Sequence, residues 1–279
     1  MSLYRVAVML ACYNRIKKTE ICLRSLKKQL TECSDKSIDV YVFDDHSTDG
    51  TYEMIRNVYP EITIVRGDGS NYWCKSMYKL MNIAIKKEYD FYLMLNDDVI
   101  FYEDALYTMF NSYNRVKTSC GIVGTTQGRR SFEATYGGRD EQIGKVIEPE
   151  IPLRTCRWAN WNCFLIDDKV VKKIGVIDGR YRHSWGDYDY SARMVKKGVP
   201  IYVAEAYVGE CEENEVEGSY QDGRLKRRTR IKKLFSPKGL PLGSYIRFNV
   251  KTQGIFGLLD VLYGYGSILM YILLGKTIE

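Results

Sequence analysis

An α/β fold with a mostly parallel central sheet is what this sequence predicts, on three observations. Strand-like and helix-like segments alternate four times before residue 120, two apolar strands end in paired carboxylates, and no glycine-rich phosphate loop follows the first strand. In such a sheet ligands gather at the carboxyl ends of the strands. Tyr13, Asp45 and the pair Asp97 and Asp98 all fall at such ends, so they are expected to converge.

The first strand is YRVAVMLACYN, from Tyr4 to Asn14. Its apolar run Val6 to Cys12 is too short for a secretory signal, with only Arg5 before it. A helix from Lys17 to Leu30 offers Ile21, Leu23, Leu26 and Leu30 to its buried side. The segment SIDVYVFDDHSTDGT, from Ser37 to Thr51, reads as a second strand stopping at Asp44 and Asp45. Ser47, Thr48 and Asp49 then supply cap and first-turn residues for a helix through Tyr52, Ile55 and Val58. EITIVRGDG is a third strand, and Asn71 to Lys87 a third helix with Met77, Leu80, Met81, Ala84 and Ile85 facing the core. YDFYLMLNDDV, Tyr89 to Val99, is the fourth strand, with a helix near Ala105 to Val116 after it.

Two adjacent carboxylates at the end of a buried strand repel each other and lose hydration, so they need a cation or several donors. A divalent metal is one remedy, since Mg²⁺ commonly uses one or two carboxylates together with substrate phosphates. A helix cap is the other reading of the pair, with Asp98, Glu103 or Asp104 facing the next helix's dipole. The second acidic strand end, at Asp44 and Asp45, favours the metal-diphosphate reading. A dinucleotide-binding fold is excluded, because the turn ACYNRIKKT after the first strand holds no glycine. Gly67 to Gly69 lacks the third glycine, Tyr72 standing there, and no P-loop pattern occurs.

Four segments in order, ACYNR, FDDHSTDGT, LNDDV and WGDYDYSARMVKKG, resemble the successive motifs of the inverting family two glycosyltransferases, over about Tyr4 to Tyr207. The resemblance implies the GT-A fold and transfer of a sugar from a nucleotide diphosphate donor to an acceptor hydroxyl, in the manner of bacterial surface-glycan, rhamnosyltransferase-like enzymes. It implies that Tyr13 lies against the base and that Asp45 bonds base or ribose. It implies Mg²⁺ or Mn²⁺ on Asp98, with Asp97 supporting metal or ribose. Asn96 replaces the usual first acid of the D-x-D type motif.

An inverting transfer needs a carboxylate on the acceptor side to take the hydroxyl proton. Asp187 is the expected base, and Asp189 the competing candidate, whose plainer reading is a cap for a helix Tyr190 to Lys197. Gly186 stands where the family usually has Glu, and Glu210 and Cys211 stand near the place of a metal-binding His. His183 precedes the base, where it either lines the acceptor pocket with Trp185 or, as is commoner for a solitary histidine, is a surface or packing residue outside the catalytic set. Trp73 is a candidate for the donor sugar or for packing beneath a helix start, and Trp161 and Trp185 fall near the acceptor side. An inactive relative, suggested by Asn96, Gly186 and the missing His, is the rival reading; a sugar-nucleotide pyrophosphorylase lacks its glycine-rich signature here.

At 279 residues with 45% hydrophobic content, one catalytic domain, 1–215, and a tail, 216–279, are the natural division. Eight cysteines form no C-x-x-C pair and no zinc spacing, which suits buried thiols in a reducing cytoplasm. The net charge of +6 is uneven: Glu205 to Asp222 carries seven acids and no Lys or Arg, and Arg224 to Lys251 carries ten bases and no acid. RLKRRTRIKK precedes the apolar run Gly254 to Gly275, an order that favours an anionic membrane surface over nucleic acid. The expected place is therefore the inner face of the plasma membrane, with a saccharide or lipid-linked acceptor. Gln253, Gly257, Asp260, Gly264 and Ser267 form a small, polar stripe that suits a helix lying in the interface or packed on a partner. A full span, for which about 20 apolar residues suffice, and a core helix are the alternatives.

Overall fold

A computed structural model describes residues 4–32, 36–141 and 144–278. Its elements run β1 (Tyr4–Cys12), α1 (Ile16–Glu32), β2 (Lys36–Asp44), α2 (Thr51–Val58), β3 (Thr63–Arg66), α3 (Tyr72–Ala84), β4 (Phe91–Asn96), β5 (Ile100–Phe101) and α4 (Ala105–Arg115). They continue as β6 (Gly121–Gln127), β7 (Ala134–Tyr136), β8 (Gly138–Arg139), β9 (Thr155–Cys156), β10 (Trp158–Ala159), β11 (Cys163–Asp167), α5 (Asp168–Ile174), α6 (Gly186–Lys196) and β12 (Ile201–Glu210). The tail folds as α7 (Arg227–Leu234), α8 (Leu242–Gln253) and α9 (Gly257–Leu273).

The main sheet is ordered β3-β2-β1-β4-β11-β6-β12-β5. The first four strands are parallel, β11 runs antiparallel to both its neighbours, and β12 is parallel to β6. Register places the site. Cys12 stands opposite Asp44, and Ala11 opposite Asn96, so the residues that follow all three strands emerge level at one edge. The central strands read as unbroken apolar runs because helices cover both faces. Val6, Val8 and Leu10 face one core, and Ala7, Met9 and Ala11 the other.

Three expectations need correcting. Ile21 is 43% exposed, while Thr19, Cys22, Leu23 and Leu26 form the inner stripe of α1. Hydrophobicity alone misplaced that stripe, because Thr19 and Gln29 are polar and yet buried, the first bonded to Asp97 and the second to Glu103 and Leu106. The fourth-motif helix begins at Gly186, four residues before the expected start, because Trp185 takes a left-handed φ of 80° immediately before it. Asp189 thus lies in its first turn and caps nothing. The seven described cysteines are free and buried; Cys33 lies outside the described residues.

In the tail, Gly254 at φ 67° separates α8 from α9, and the two fold back as a hairpin. Gly257 and Gly264 allow the approach, since a Cβ there would meet the Asn249 carbonyl at 2.3 Å and the Tyr245 hydroxyl at 2.8 Å. Val261, Tyr265 and Ile272 close a small core with Leu234 and Leu240. Residues 242–273 are long and apolar enough to cross a membrane by length and composition, but the hairpin divides them. The opposite side of α9 is bare: Leu259, Leu262, Tyr263 and Met270 are exposed, as are Ile255 and Phe256 before it.

Candidate active site

A cavity of about 380 Å³ opens where β1, β2 and β4 end. Its rim is built by lacing two turns together. Asn14 N–H donates to the Ser47 hydroxyl at 2.9 Å, Thr48 N–H to the Asn14 side chain at 2.7 Å, and Ile16 N–H to Asp49 at 3.0 Å. Tyr13 is left 44% exposed on the cavity wall.

Asp45 lines the same cavity, with a carboxylate already fully engaged. One oxygen accepts from Gly69 N–H and the Asn71 amide at 3.0 and 2.8 Å, the other from the N–H groups of Asn71 and Tyr72 at 2.9 and 2.8 Å. Gly67 makes this wrap possible, because a Cβ there would sit 2.5 Å from the carboxylate. Asp45 therefore shapes the loop into α3.

Arg15 bridges the acidic pair, donating one guanidinium nitrogen to Asp97 at 2.8 Å and the other to Asp98. The second Asp97 oxygen accepts from Thr19 at 3.0 Å. Burial pushes the Asp97 carboxyl up to about 6 although Arg15 opposes the shift. Asp98 is less enclosed, and its second oxygen accepts from the Cys211 thiol at 3.6 Å. Burial and the neighbouring Asp98 charge push that thiol well above its usual range. No cluster of three His, Cys, Asp or Glu that could hold a metal occurs among the described residues. The donor set therefore fits a cation held by Asp98 together with phosphate oxygens of a ligand, as Mg²⁺ sites often are. Glu210 pairs with Arg129 at 2.8 Å.

Trp73 donates its indole N–H to the Asn96 side chain at 2.9 Å and packs edge-on against Trp161, 5.9 Å between centroids. Asn96 thus holds a wall of the cavity. The fourth motif supplies the facing wall with Trp185 and Asp187. Asp187 accepts from Tyr188 N–H at 2.9 Å, and burial pushes its carboxyl up to about 6 against the bonds from Asn160 and the Trp161 backbone. Gly186 has no room for the family's acid, because a Cβ there would sit 2.3 Å from the Cys74 sulfur. Asp189 is drawn away from the cavity, paired with Arg193 at 3.0 Å and Lys251 at 2.7 Å and bonded by Tyr181.

Of the residues named from sequence, Tyr13, Asp45, Asp97, Asp98, Trp73, Trp161, Trp185 and Asp187 share this one cavity and Asp189 does not. Arg15 and Asn160 were missed; Arg15 sits inside the ACYNR motif, whereas nothing in the sequence marks Asn160. His183 is a cavity residue and not a surface one, with its imidazole lowered to about 4 by burial and neighbouring cations. Three residues of the lining, Trp161, Trp185 and Asn160, also carry a buried polar side-chain atom without a partner among the described residues: the two indole nitrogens and the Asn160 side-chain oxygen.

A family model described as "Glycosyl transferase family 2" matches residues 7–174. Among solved structures, the fold is similar to the mannosyltransferase PcManGT from Pyrobaculum calidifontis in complex with GDP-Man and Mn²⁺, with a TM-score of 0.58 at 13% identity, covering 97% of this chain and 73% of that one. It is similar to S. aureus TarS in complex with UDP-GlcNAc, with a TM-score of 0.58 at 14% identity, covering 98% and 92%. These likenesses show the GT-A fold. No curated protein matches by sequence.

Proposed function

The chain belongs to glycosyl transferase family 2, and on that footing we propose that it moves a sugar, with inversion, from a nucleotide diphosphate donor to an acceptor hydroxyl. The observation that carries this reading is Asp187, a carboxylate raised to about 6, set in the same cavity as the Asp97 and Asp98 pair. A base with that proton affinity is ionised at neutral pH and basic enough to accept a proton.

Asp187 takes the proton of the acceptor hydroxyl as its oxygen attacks the anomeric carbon, and the bond from that carbon to the diphosphate breaks on the opposite face. The Asn160 side chain and the Trp161 backbone orient the carboxylate. Tyr13 stacks on the base, and Asp45 acts by shaping the wall of that subsite. Asp98, with Asp97 behind it, holds Mg²⁺ or Mn²⁺, which when bound neutralises charge on the leaving diphosphate. Arg15 supplies fixed positive charge beside it.

We place the enzyme on the cytoplasmic face of a membrane, extending a saccharide or lipid-linked acceptor in surface-glycan synthesis, with the catalytic carboxylates in 1–215 and the docking surface in 216–279. The support is the bare apolar side of α9 beside the exposed Arg227, Arg228 and Lys232 of α7. Release of free nucleoside diphosphate from a panel of nucleotide sugars in Mn²⁺, with and without chelator, tests the activity. Turnover of none of them would contradict it.

A further inference from the structure

The tail reaches the cavity. Lys238, in the connection between α7 and α8, lines it together with Arg15 and His183. The charges of Lys238 and Arg15 both act on the His183 ring, which sets the two cations around the same stretch of wall. Their situations differ. Arg15 is committed to Asp97 and Asp98, whereas Lys238 pairs with no carboxylate among the described residues.

The turn that carries Lys238 is fixed. Gly239 N–H donates to Ser236 at 2.9 Å, Leu240 N–H to Leu234 at 2.6 Å, and the Tyr265 hydroxyl of α9 to the Leu240 carbonyl. Leu234 and Leu240 are buried beneath it. A Cβ on Gly239 would meet the Lys233 carbonyl at 2.2 Å, so this close path needs glycine. A lysine with no carboxylate partner among the described residues thus lines the cavity on a hydrogen-bonded turn that the apolar hairpin holds from behind.

We propose that Lys238 binds the diphosphate of the nucleotide-sugar donor, so that the C-terminal tail completes the donor site. The inference rests on reading this cavity as that site. The charge count supports it: Arg15 faces two carboxylates, so a diphosphate entering beside Asp98 brings negative charge that Arg15 alone does not offset. Lys18 stands 4.0 Å from Asp98 but does not line the cavity, whereas Lys238 lines it and has no carboxylate partner among the described residues, so it is placed to do so.

Calorimetric titration of the full-length protein with UDP, GDP, CDP and dTDP in Mn²⁺, and with the parent nucleosides, decides it. Lys238→Met is expected to weaken the preferred nucleoside diphosphate about tenfold, the scale of one charge-assisted hydrogen bond. Nucleoside binding stays unchanged, and Lys238→Arg recovers most of the loss. A Lys238→Met protein that binds the diphosphate as tightly as wild type overturns the role of Lys238 and leaves the glycosyltransferase reading standing. A wild-type protein that binds none of the four overturns both.

Discussion

A methyl group on Gly186 would lie 2.3 Å from the Cys74 sulfur and 3.0 Å from Ile177. Helix α6 therefore begins hard against α3, and the acid common at this point of the family has no space. Gly186→Ala is expected to cost about 1–3 kcal/mol through overpacking, and Gly186→Glu more. Urea unfolding checks this. A Gly186→Glu protein as stable as wild type would show that the wall is soft and that the missing acid needs another explanation.

Removing Arg15 leaves Asp97 and Asp98 adjacent without their bridging cation. Breaking a buried ion pair costs about 3–5 kcal/mol. Arg15 is 34% exposed, so roughly half of that is expected for Arg15→Met. Mn²⁺ is expected to raise the melting temperature of Arg15→Met more than that of wild type, because the distant Lys18, 4.0 Å from Asp98, is then the pair's remaining protein cation. Equal shifts would contradict metal binding at Asp98.

Asp187 must be ionised to take a proton, and its carboxyl sits at about 6. Activity is therefore full above that value and lost below it, with kcat/KM falling toward tenfold per pH unit on the acid side. Asp97 also sits at about 6, so Asp187→Glu separates the two, because it should move the limb if Asp187 is the group observed. A flat profile between pH 5 and pH 8 would count against the base.

Membrane docking makes a separate prediction. Each Lys or Arg near an anionic surface contributes roughly 1 kcal/mol, so neutralising Arg227, Arg228, Lys232 and Lys233 together should release most of the protein from anionic vesicles in flotation. High salt should do the same, and alkaline carbonate should extract wild type. Equal flotation of the quadruple variant would remove the docking reading.

The strands and their acidic ends were legible because apolar run length and an abrupt polar stop are local signals. Pairings across long separations were not. Arg15 meets Asp97 across 82 residues, and Asp189 is claimed from α8 by Lys251 across 62. The early start of α6 hides behind a tryptophan in a left-handed conformation, which no propensity favours. The inner stripe of α1 was misread at Ile21 because hydrophobicity cannot foresee a buried Thr19 whose value lies in its bond to Asp97.

The most direct measurement is the transfer rate of Asp187→Asn beside Asp189→Asn, with nucleoside diphosphate affinity and melting temperature recorded for each. The amide of Asp187→Asn cannot accept the acceptor's proton, so transfer should fall by ~10²- to 10⁴-fold while affinity stays at the wild-type value. Asp189→Asn should lose stability, because it weakens the pairs with Arg193 and Lys251, and yet should keep a folded-state rate far above that of Asp187→Asn. An Asp187→Asn enzyme that transfers sugar at the wild-type rate would contradict the account.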